Sequence, residues 1–305
     1  MDGFVANTDY DWYQFLKSQP GIEEVNFWQP RGGTTFRAIG PGEPFFFKLK
    51  QPHFAIAGFG YFTWHSVLPA WLAWEFFETA NGAPDFATMR ERVERLRRGP
   101  IDTAGNYVIG CIMISTPVFF PENEWVRAPS DFAPNIVRGA TYDLNAGEGK
   151  RIWDECRLRA RLEPASTLAV SGPRYGEPTV ILPRMGQGIF RAAVTDAYGR
   201  ACAISQEHSL PALEAAHIRP YADGGEHAIS NGLLLRSDIH RLFDKGYVTV
   251  TPDYRFRVSD RLRADFSNGR SYYPLNGQLM RLPAARTDHP DRDALAFHES
   301  TVFLK

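Results

Sequence analysis

Apolar positions along the chain fall into short continuous blocks in some stretches and helically spaced stripes in others. Phe45-Phe46-Phe47-Lys48-Leu49 and Phe54-Ala55-Ile56-Ala57-Gly58-Phe59, bounded by Pro and Gly, predict two neighbouring strands with a turn at Gln51-Pro52-His53. Pro69 to Ala80 then predicts a helix, opened by its proline and stopped by Asn81-Gly82. A second helix starts at Asp85 as N-cap, carries Phe86, Met89, Val93 and Leu96 as one apolar stripe, and ends at Gly99. Its other face holds Arg90, Arg92, Arg95, Arg97 and Arg98 interleaved with Glu91 and Glu94, which favours a solvated face over a phosphate-binding patch. Tyr107 to Ile114 and Pro117 to Pro121 predict further strands, and Glu148 to Ala160 a polar helix.

Pro164, Gly172-Pro173, Gly176, Pro178 and Pro183 mark an interdomain linker. Beyond it, Gln187 to Tyr198 reads as a helix with Phe190 and Val194 on one face and Gly199 past its end. The pattern divides the chain into an N-terminal domain over 1–160, a linker over 161–183 and a C-terminal domain over 184–305 whose tail, from Asn268, folds back onto one of the two. Strands wrapped around one or two helices give an α+β fold class, with a barrel-like N-terminal domain.

Composition narrows the function classes. With 305 residues, 44% hydrophobic and 23% charged, disorder, collagen-like sequence and a disulfide miniprotein are excluded. The longest apolar stretch, Phe45 to Phe62, is broken by Lys48, Lys50, Pro52 and His53, so no membrane partner is expected. The start lacks the pattern of a signal peptide, and Cys111, Cys156 and Cys202 are widely separated, as in buried thiols of a reducing compartment; both point to a cytoplasmic protein. The net charge of −1 offers no global basic field for nucleic acid, although local patches can serve while acidic residues elsewhere cancel the sum.

Chemistry concentrates between Cys202 and Val250. Leu213 to Pro220 is a strand with a histidine near its end, followed by a turn-rich loop through Asp223-Gly224-Gly225. Asn231-Gly232-Leu233-Leu234-Leu235 returns, and a short helix over Ser237 to Asp244 closes at Gly246. On that helix His240 and Asp244 lie one turn apart and can bind one metal ion. Singly, His217 reads as a satisfied core histidine and His240 as an exposed helix residue. His208, His227, His65, His53, His289 and His298 match nothing comparable and read as structural or surface residues.

The string from Leu213-Glu214-Ala215-Ala216-His217-Ile218 through Asn231-Gly232-Leu233 to Asp238-x-His240-x-Leu242-Phe243-Asp244-x-Gly246 resembles the HNH nuclease family, in particular its bacterial restriction-type branch. The resemblance implies a ββα-metal fold. His217 would be the general base that deprotonates water, His240 and Asp244 the metal ligands, and Asn231 the brace that fixes His217 in orientation. A divalent ion is implied, with Mg²⁺ or Mn²⁺ suited to an oxygen ligand beside imidazole and Ni²⁺ or Zn²⁺ also accepted by such sites. Ala216 departs from the pattern, since many members carry Asp or His there as another ligand, and Glu214 is the substitute nearest in the strand. Asp238 favours the helix N-terminus over metal binding. Arg184, Gln187 and Arg191, ahead of the hairpin, are candidates for DNA phosphates.

In the first half, Val25-Asn26-Phe27-Trp28-Gln29-Pro30, Pro41-Gly42-Glu43-Pro44-Phe45-Phe46-Phe47 and Ile56-Ala57-Gly58-Phe59-Gly60 are similar to the EVE, ASCH and PUA-like group of small barrels, related in architecture to the SRA domain. That similarity implies a module that reads modified cytosine by flipping it into an aromatic pocket, with Trp28, Phe62, Trp64 and Trp71 as candidate walls. The two resemblances together imply a bacterial, modification-dependent restriction endonuclease acting on double-stranded DNA carrying 5-methyl- or 5-hydroxymethylcytosine, working as a homodimer if both strands are cut. Two alternatives stay open: an HNH nuclease with another specificity (unmodified sequence, phosphorothioate linkages or RNA), and a modified-nucleic-acid binding module with a degenerate nuclease half.

Overall fold

The computed structural model of the chain describes residues 1–33, 35–97, 99–160 and 185–305. It divides into two compact units, Met1–Gly186 and Gln187–Lys305. The linker region and Arg184 lie outside the described residues, as does Arg98.

The first unit is built on one sheet. Its elements are β1 (Asp2–Thr8), α1 (Tyr10–Lys17), β2 (Glu24–Gln29), β3 (Pro44–Leu49), β4 (Ala55–Pro69), α2 (Ala70–Phe77), α3 (Phe86–Arg97), β5 (Val108–Phe119), β6 (Val126–Arg127), β7 (Gly139–Asp143) and α4 (Gly147–Arg159). The strand order is β2-β5-β4-β3-β1-β7, with β6 also on β4; β1 and β3 run parallel and the other pairs antiparallel. The Phe45–Leu49 and Phe54–Phe59 blocks are β3 and the start of β4, as the apolar runs predict. The two predicted strands from Tyr107 to Pro121 are one continuous strand, β5.

The expected barrel is not what the described strands form. They make an open sheet with β2 and β7 at its edges. The physical reason lies in β3, every residue of which is buried. Phe45 and Phe47 join Phe4 and Ala6 in a core covered by Trp12, Tyr13 and Leu16 of α1, whereas Phe46 joins Val5 in a core covered by Ile152, Trp153 and Cys156 of α4. A sheet with apolar layers and helices on both faces has no need to close on itself to hide one.

Asp85 caps α3 through a 2.7 Å bond accepted from the Thr88 backbone N–H, and Met89 and Val93 of the stripe are buried. Leu96 is exposed. Part of the basic face is structural: Arg92 donates to the Gly82 carbonyl, and Arg97 to those of Pro30 and Val108.

The second unit contains α5 (Gln187–Ala197), β8 (Leu213–His217), β9 (Gly232–Arg236), α6 (Ser237–Asp244), β10 (Val248–Val250), β11 (Phe256–Val258), α7 (Arg261–Phe266) and α8 (Arg292–Phe297). Strands β8 and β9 pair antiparallel with His217 opposite Gly232, and α6 follows β9 directly. The core runs from Phe190 and Val194 of α5 through Leu233, Leu234 and Leu235 to Ile239 and Phe243 of α6. The C-terminal tail packs on this same core with Met280, Ala294 and Leu295.

His298 shows how the tail is fastened. It is buried and stacked at 3.6 Å on Phe243. One ring nitrogen, Nε2, must donate to the Phe243 carbonyl at 3.1 Å, so Nδ1 accepts from the Thr249 hydroxyl at 2.8 Å. Burial lowers its pKa to about 4. A depressed imidazole pKa adds stability that is full above the ordinary value near 6.5 and lost as pH falls towards 4, here on the order of 3 kcal/mol. Urea denaturation of the full chain between pH 7 and pH 4.5 is therefore expected to show a falling midpoint for the C-terminal unit, with a shallower fall in His298→Gln. His217 titrates low in the same window, so the fall is reduced and not abolished; equal slopes in both proteins would contradict the assignment.

Candidate active site

Strand β8 delivers two of the side chains that matter, and α6 the other two. His217 ends β8 opposite Gly232, where a Cβ would lie 2.4 Å from Val194 Cγ2 and 3.0 Å from the Phe190 ring. The missing side chain lets α5 pack against the hairpin, and Phe190 lies face to face with the His217 imidazole at 4.0 Å and 12°. Desolvation in this setting is the first cause that pushes the His217 pKa down to about 4, followed by the nearby His227, His240 and Arg191. His217 is thus held in the neutral form that accepts a proton.

His240, on α6, lies between two carboxylates. Its Nδ1 is 2.7 Å from Glu214 Oε2 and its Nε2 is 3.4 Å from Asp244 Oδ2. When Nδ1–H donates to Glu214, a neutral ring turns its Nε2 lone pair towards the Asp244 carboxylate, an opposition of two acceptors that either a proton on Nε2 or a metal ion relieves. Desolvation raises the Asp244 pKa, with Glu214 adding to the rise and His240 opposing it. Among the described residues no three His, Cys, Asp or Glu side chains converge to hold a metal on their own. The donors that would hold an ion are one imidazole nitrogen and one carboxylate, a set that fits a hard or borderline divalent ion.

Glu214 lies on Nδ1 of His240, the ring nitrogen away from Asp244. Ala216, where the resemblance expects a ligand, is fully buried in the hydrophobic core. Asp238 is taken up by a two-pronged pair with Arg236 at 2.6 and 2.7 Å and by the Tyr272 hydroxyl at 2.9 Å.

Asn231 clamps the loop between β8 and β9. Its Oδ1 accepts from the Arg219 N–H, and its Nδ2 donates to the carbonyls of Arg219 and Glu226, all at 2.9–3.0 Å. These bonds brace the loop, whereas the hydrogen bond to the His217 ring comes from elsewhere: His227 Nδ1 lies 3.0 Å from His217 Nε2. His227 matches no motif in the sequence and reads there as a structural or surface residue. The signal available was its place just before Asn231, in a loop that hairpin closure must bring back to the end of β8. Arg191 lies close enough to oppose protonation of His217, and Gln187 is exposed in the first turn of α5.

The first unit carries a separate cavity of about 330 Å³. Phe4, Trp12, Phe27 and Trp28 form its aromatic walls, and Asn7, Asp9, Gln29, Arg31, Lys50 and Arg138 supply polar and charged groups. The Trp28 indole N–H is held by the Asn81 carbonyl at 3.0 Å, which fixes that wall. Of the four predicted pocket residues only Trp28 is among those that line it. Phe62 is buried in the sheet core, edge-on to Phe36 at 5.1 Å, while Trp64 and Trp71 are half-buried outside the lining.

Among solved structures the chain is similar, at TM-scores of 0.30, to an ASCH mutant protein from Zymomonas mobilis and to the modification-dependent TagI restriction endonuclease. Identity to the first is 10%, over 49% of this chain and 96% of that one; identity to the second is 13%, over 99% and 81%. No curated protein matches. Residues 202–251, which contain β8, β9, α6 and β10 with His217, Asn231, His240 and Asp244, match the family model of the HNH endonucleases.

Proposed function

We propose that the chain is a metal-dependent restriction-type endonuclease, in which the C-terminal unit hydrolyses phosphodiester bonds of duplex DNA and the N-terminal unit selects DNA carrying modified cytosine. The observation that carries the nuclease reading is the hairpin and helix of the matched segment, which set a desolvated neutral imidazole, His217, near an imidazole–carboxylate pair, His240 and Asp244.

His217 takes a proton from water as the resulting hydroxide attacks phosphorus and the bond to the leaving sugar oxygen breaks. The ion that His240 Nε2 and Asp244 would hold supplies positive charge to offset the charge developing on the phosphate and the leaving oxygen. Glu214 fixes the His240 ring, Asn231 holds the loop, and Arg191 and Gln187 of α5 would contact DNA phosphates.

Selection rests on the aromatic cavity. At about 330 Å³ it is at the lower end of small-molecule pockets, roughly 300–1,000 Å³, and so takes a single base with its sugar and no longer piece of nucleic acid. Flipping a base costs a few kcal/mol, which stacking on Trp28 and Phe27 offsets. Cutting both strands with one such centre per chain calls for two copies on the duplex.

Plasmid DNA that is unmodified, 5-methylcytosine-containing or 5-hydroxymethylcytosine-containing, incubated with Mg²⁺ or Mn²⁺, tests both halves. The modified plasmids are expected to be cut, chelation to stop cutting, and His217→Ala to lower the rate by about 10²–10⁴-fold. Equal cutting of all three would remove the base reader and leave the nuclease, whereas no cutting with any divalent ion would favour a binding module.

Trp28→Ala is expected to reduce the preference for modified over unmodified plasmid by about tenfold or more, because a stacked base is worth about 1–3 kcal/mol, while metal dependence stays unchanged. An unaltered preference places the reader elsewhere. The pH profile follows from the His217 environment: neutral imidazole is the competent form, so cleavage holds from pH 7 to about 5 and falls as pH approaches 4. With divalent ion saturating across the range, so that loss of metal from His240 does not shape the profile, an acid limb centred near 6.5 would mean that His217 is solvated.

A further inference from the structure

The loop that Asn231 clamps is shaped to bring one specific side chain to the end of β8. Gly225 N–H donates to the Pro220 carbonyl at 3.0 Å, and a Cβ on Gly225 would lie 2.0 Å from the Arg219 carbonyl oxygen and 2.9 Å from Asn231 Nδ2. Only glycine allows the loop to fold this tightly against the strand. The result is a row of four rings: Phe190 stacked on His217 at 4.0 Å and 12°, His227 inclined to His217 at 5.0 Å and 62°, and Tyr221 stacked on His227 at 5.1 Å and 12°. Within the row, His217 Nε2 and His227 Nδ1 stand 3.0 Å apart.

A hydrogen bond between two neutral imidazoles has two arrangements, and they differ in consequence. If His227 Nδ1–H were the donor, His217 would accept on Nε2, carry its own proton on Nδ1 and have no lone pair left for water. If His217 Nε2–H is the donor, Nδ1 of His217 is the free basic nitrogen. The second arrangement puts both rings in the Nε2–H form, the tautomer a neutral histidine side chain intrinsically prefers, and the first puts both in the less favoured one.

We infer that His227 is the positioning residue of the nuclease centre: its Nδ1 accepts the Nε2–H of His217, selects the tautomer whose Nδ1 takes the proton from water, and strengthens its hold as that proton arrives. This inference rests on the reading of His217 as the general base. When the water proton moves to Nδ1, His217 becomes an imidazolium, and its Nε2–H···Nδ1 bond to His227 becomes charge-assisted. The face of Phe190 lies against the same developing charge. A contact that gains strength on the way to the transition state raises turnover and leaves ground-state binding alone. The hydroxide formed bonds to phosphorus, the leaving sugar oxygen departs with the electron pair of the broken bond and is protonated from water, and the imidazolium returns its proton to solvent.

Two substitutions separate this role from packing. His227→Phe keeps a ring for Tyr221 to stack on and removes the acceptor. His227→Asn gives up the ring and keeps an acceptor oxygen near the Nδ1 position. In the full chain with Mg²⁺ and modified plasmid, His227→Phe is expected to lower kcat by about 10–100-fold with KM within about twofold, while His227→Asn recovers most of the loss. A His227→Phe enzyme as fast as the unsubstituted chain, or a His227→Asn enzyme no better than His227→Phe, overturns the proposal.

The tautomer itself is read without substrate. Long-range ¹H–¹⁵N correlation spectra of the ¹⁵N-histidine-labelled full chain at pH 7 should show His217 as the Nε2–H form in the unsubstituted protein and in His227→Asn, and a tautomer mixture in His227→Phe. An Nδ1–H form of His217 in the unsubstituted protein overturns the proposal whether or not the chain cleaves DNA. Nε2–H with no cleavage on any substrate counts against the nuclease reading and leaves the pairing intact.

Discussion

An imidazole between two carboxylates is the interaction around which the C-terminal unit is organised. Glu214 comes from β8 and Asp244 from the last turn of α6, so His240 ties the hairpin to the helix that follows it. With Nδ1–H on Glu214, a neutral ring directs its lone pair at a second negative group, an arrangement that becomes favourable once positive charge, a proton or a metal ion, is supplied. The remaining construction serves the other side of the centre: Gly232 lets Phe190 press on His217, and Asn231 and Gly225 fold the loop that presents His227.

The two units solve different problems with similar materials. In the C-terminal unit a two-stranded hairpin is too small to bury itself, and α5, α6 and the tail cover it, with His298 on Phe243 as one fastening. In the N-terminal unit β3 is buried on both faces between α1 and α4. The cavity there draws its walls from β1, α1 and β2, and Trp28 is pinned by its bond to the Asn81 carbonyl. Rigid aromatic walls lined with a few polar groups favour a flat, partly polar ligand.

Much of this was legible in the sequence wherever local signals act alone. The Phe45–Leu49 block, the Asp85 cap and the Leu213 to Asp244 string predict β3, α3 and the hairpin with its helix in their observed places. The barrel was misread because a doubly covered strand and a barrel strand can both be strongly apolar, and only the partners on each face distinguish them. The candidate pocket walls part for a related reason: Phe62 and Trp28 are equally aromatic, and burial, set by tertiary packing, puts one in the core and the other on a cavity. His227 escaped notice because its role depends on loop closure and not on periodicity. Glu214 stands out in the strand, yet its 2.7 Å contact with the His240 ring is one that spacing does not encode.

In the proposed mechanism His240 Nε2 and Asp244 form the metal-binding side of a centre whose proton acceptor is His217. A crystal structure of the chain with Mn²⁺ and a duplex oligonucleotide, with anomalous diffraction recorded at the manganese edge, would decide this assignment. One strong anomalous peak is expected in contact with His240 Nε2, an Asp244 oxygen and a DNA phosphate oxygen, with Glu214 still on His240 Nδ1. A peak elsewhere, or Glu214 displacing Nδ1 to bind the ion itself while Asp244 turns to solvent, would contradict it.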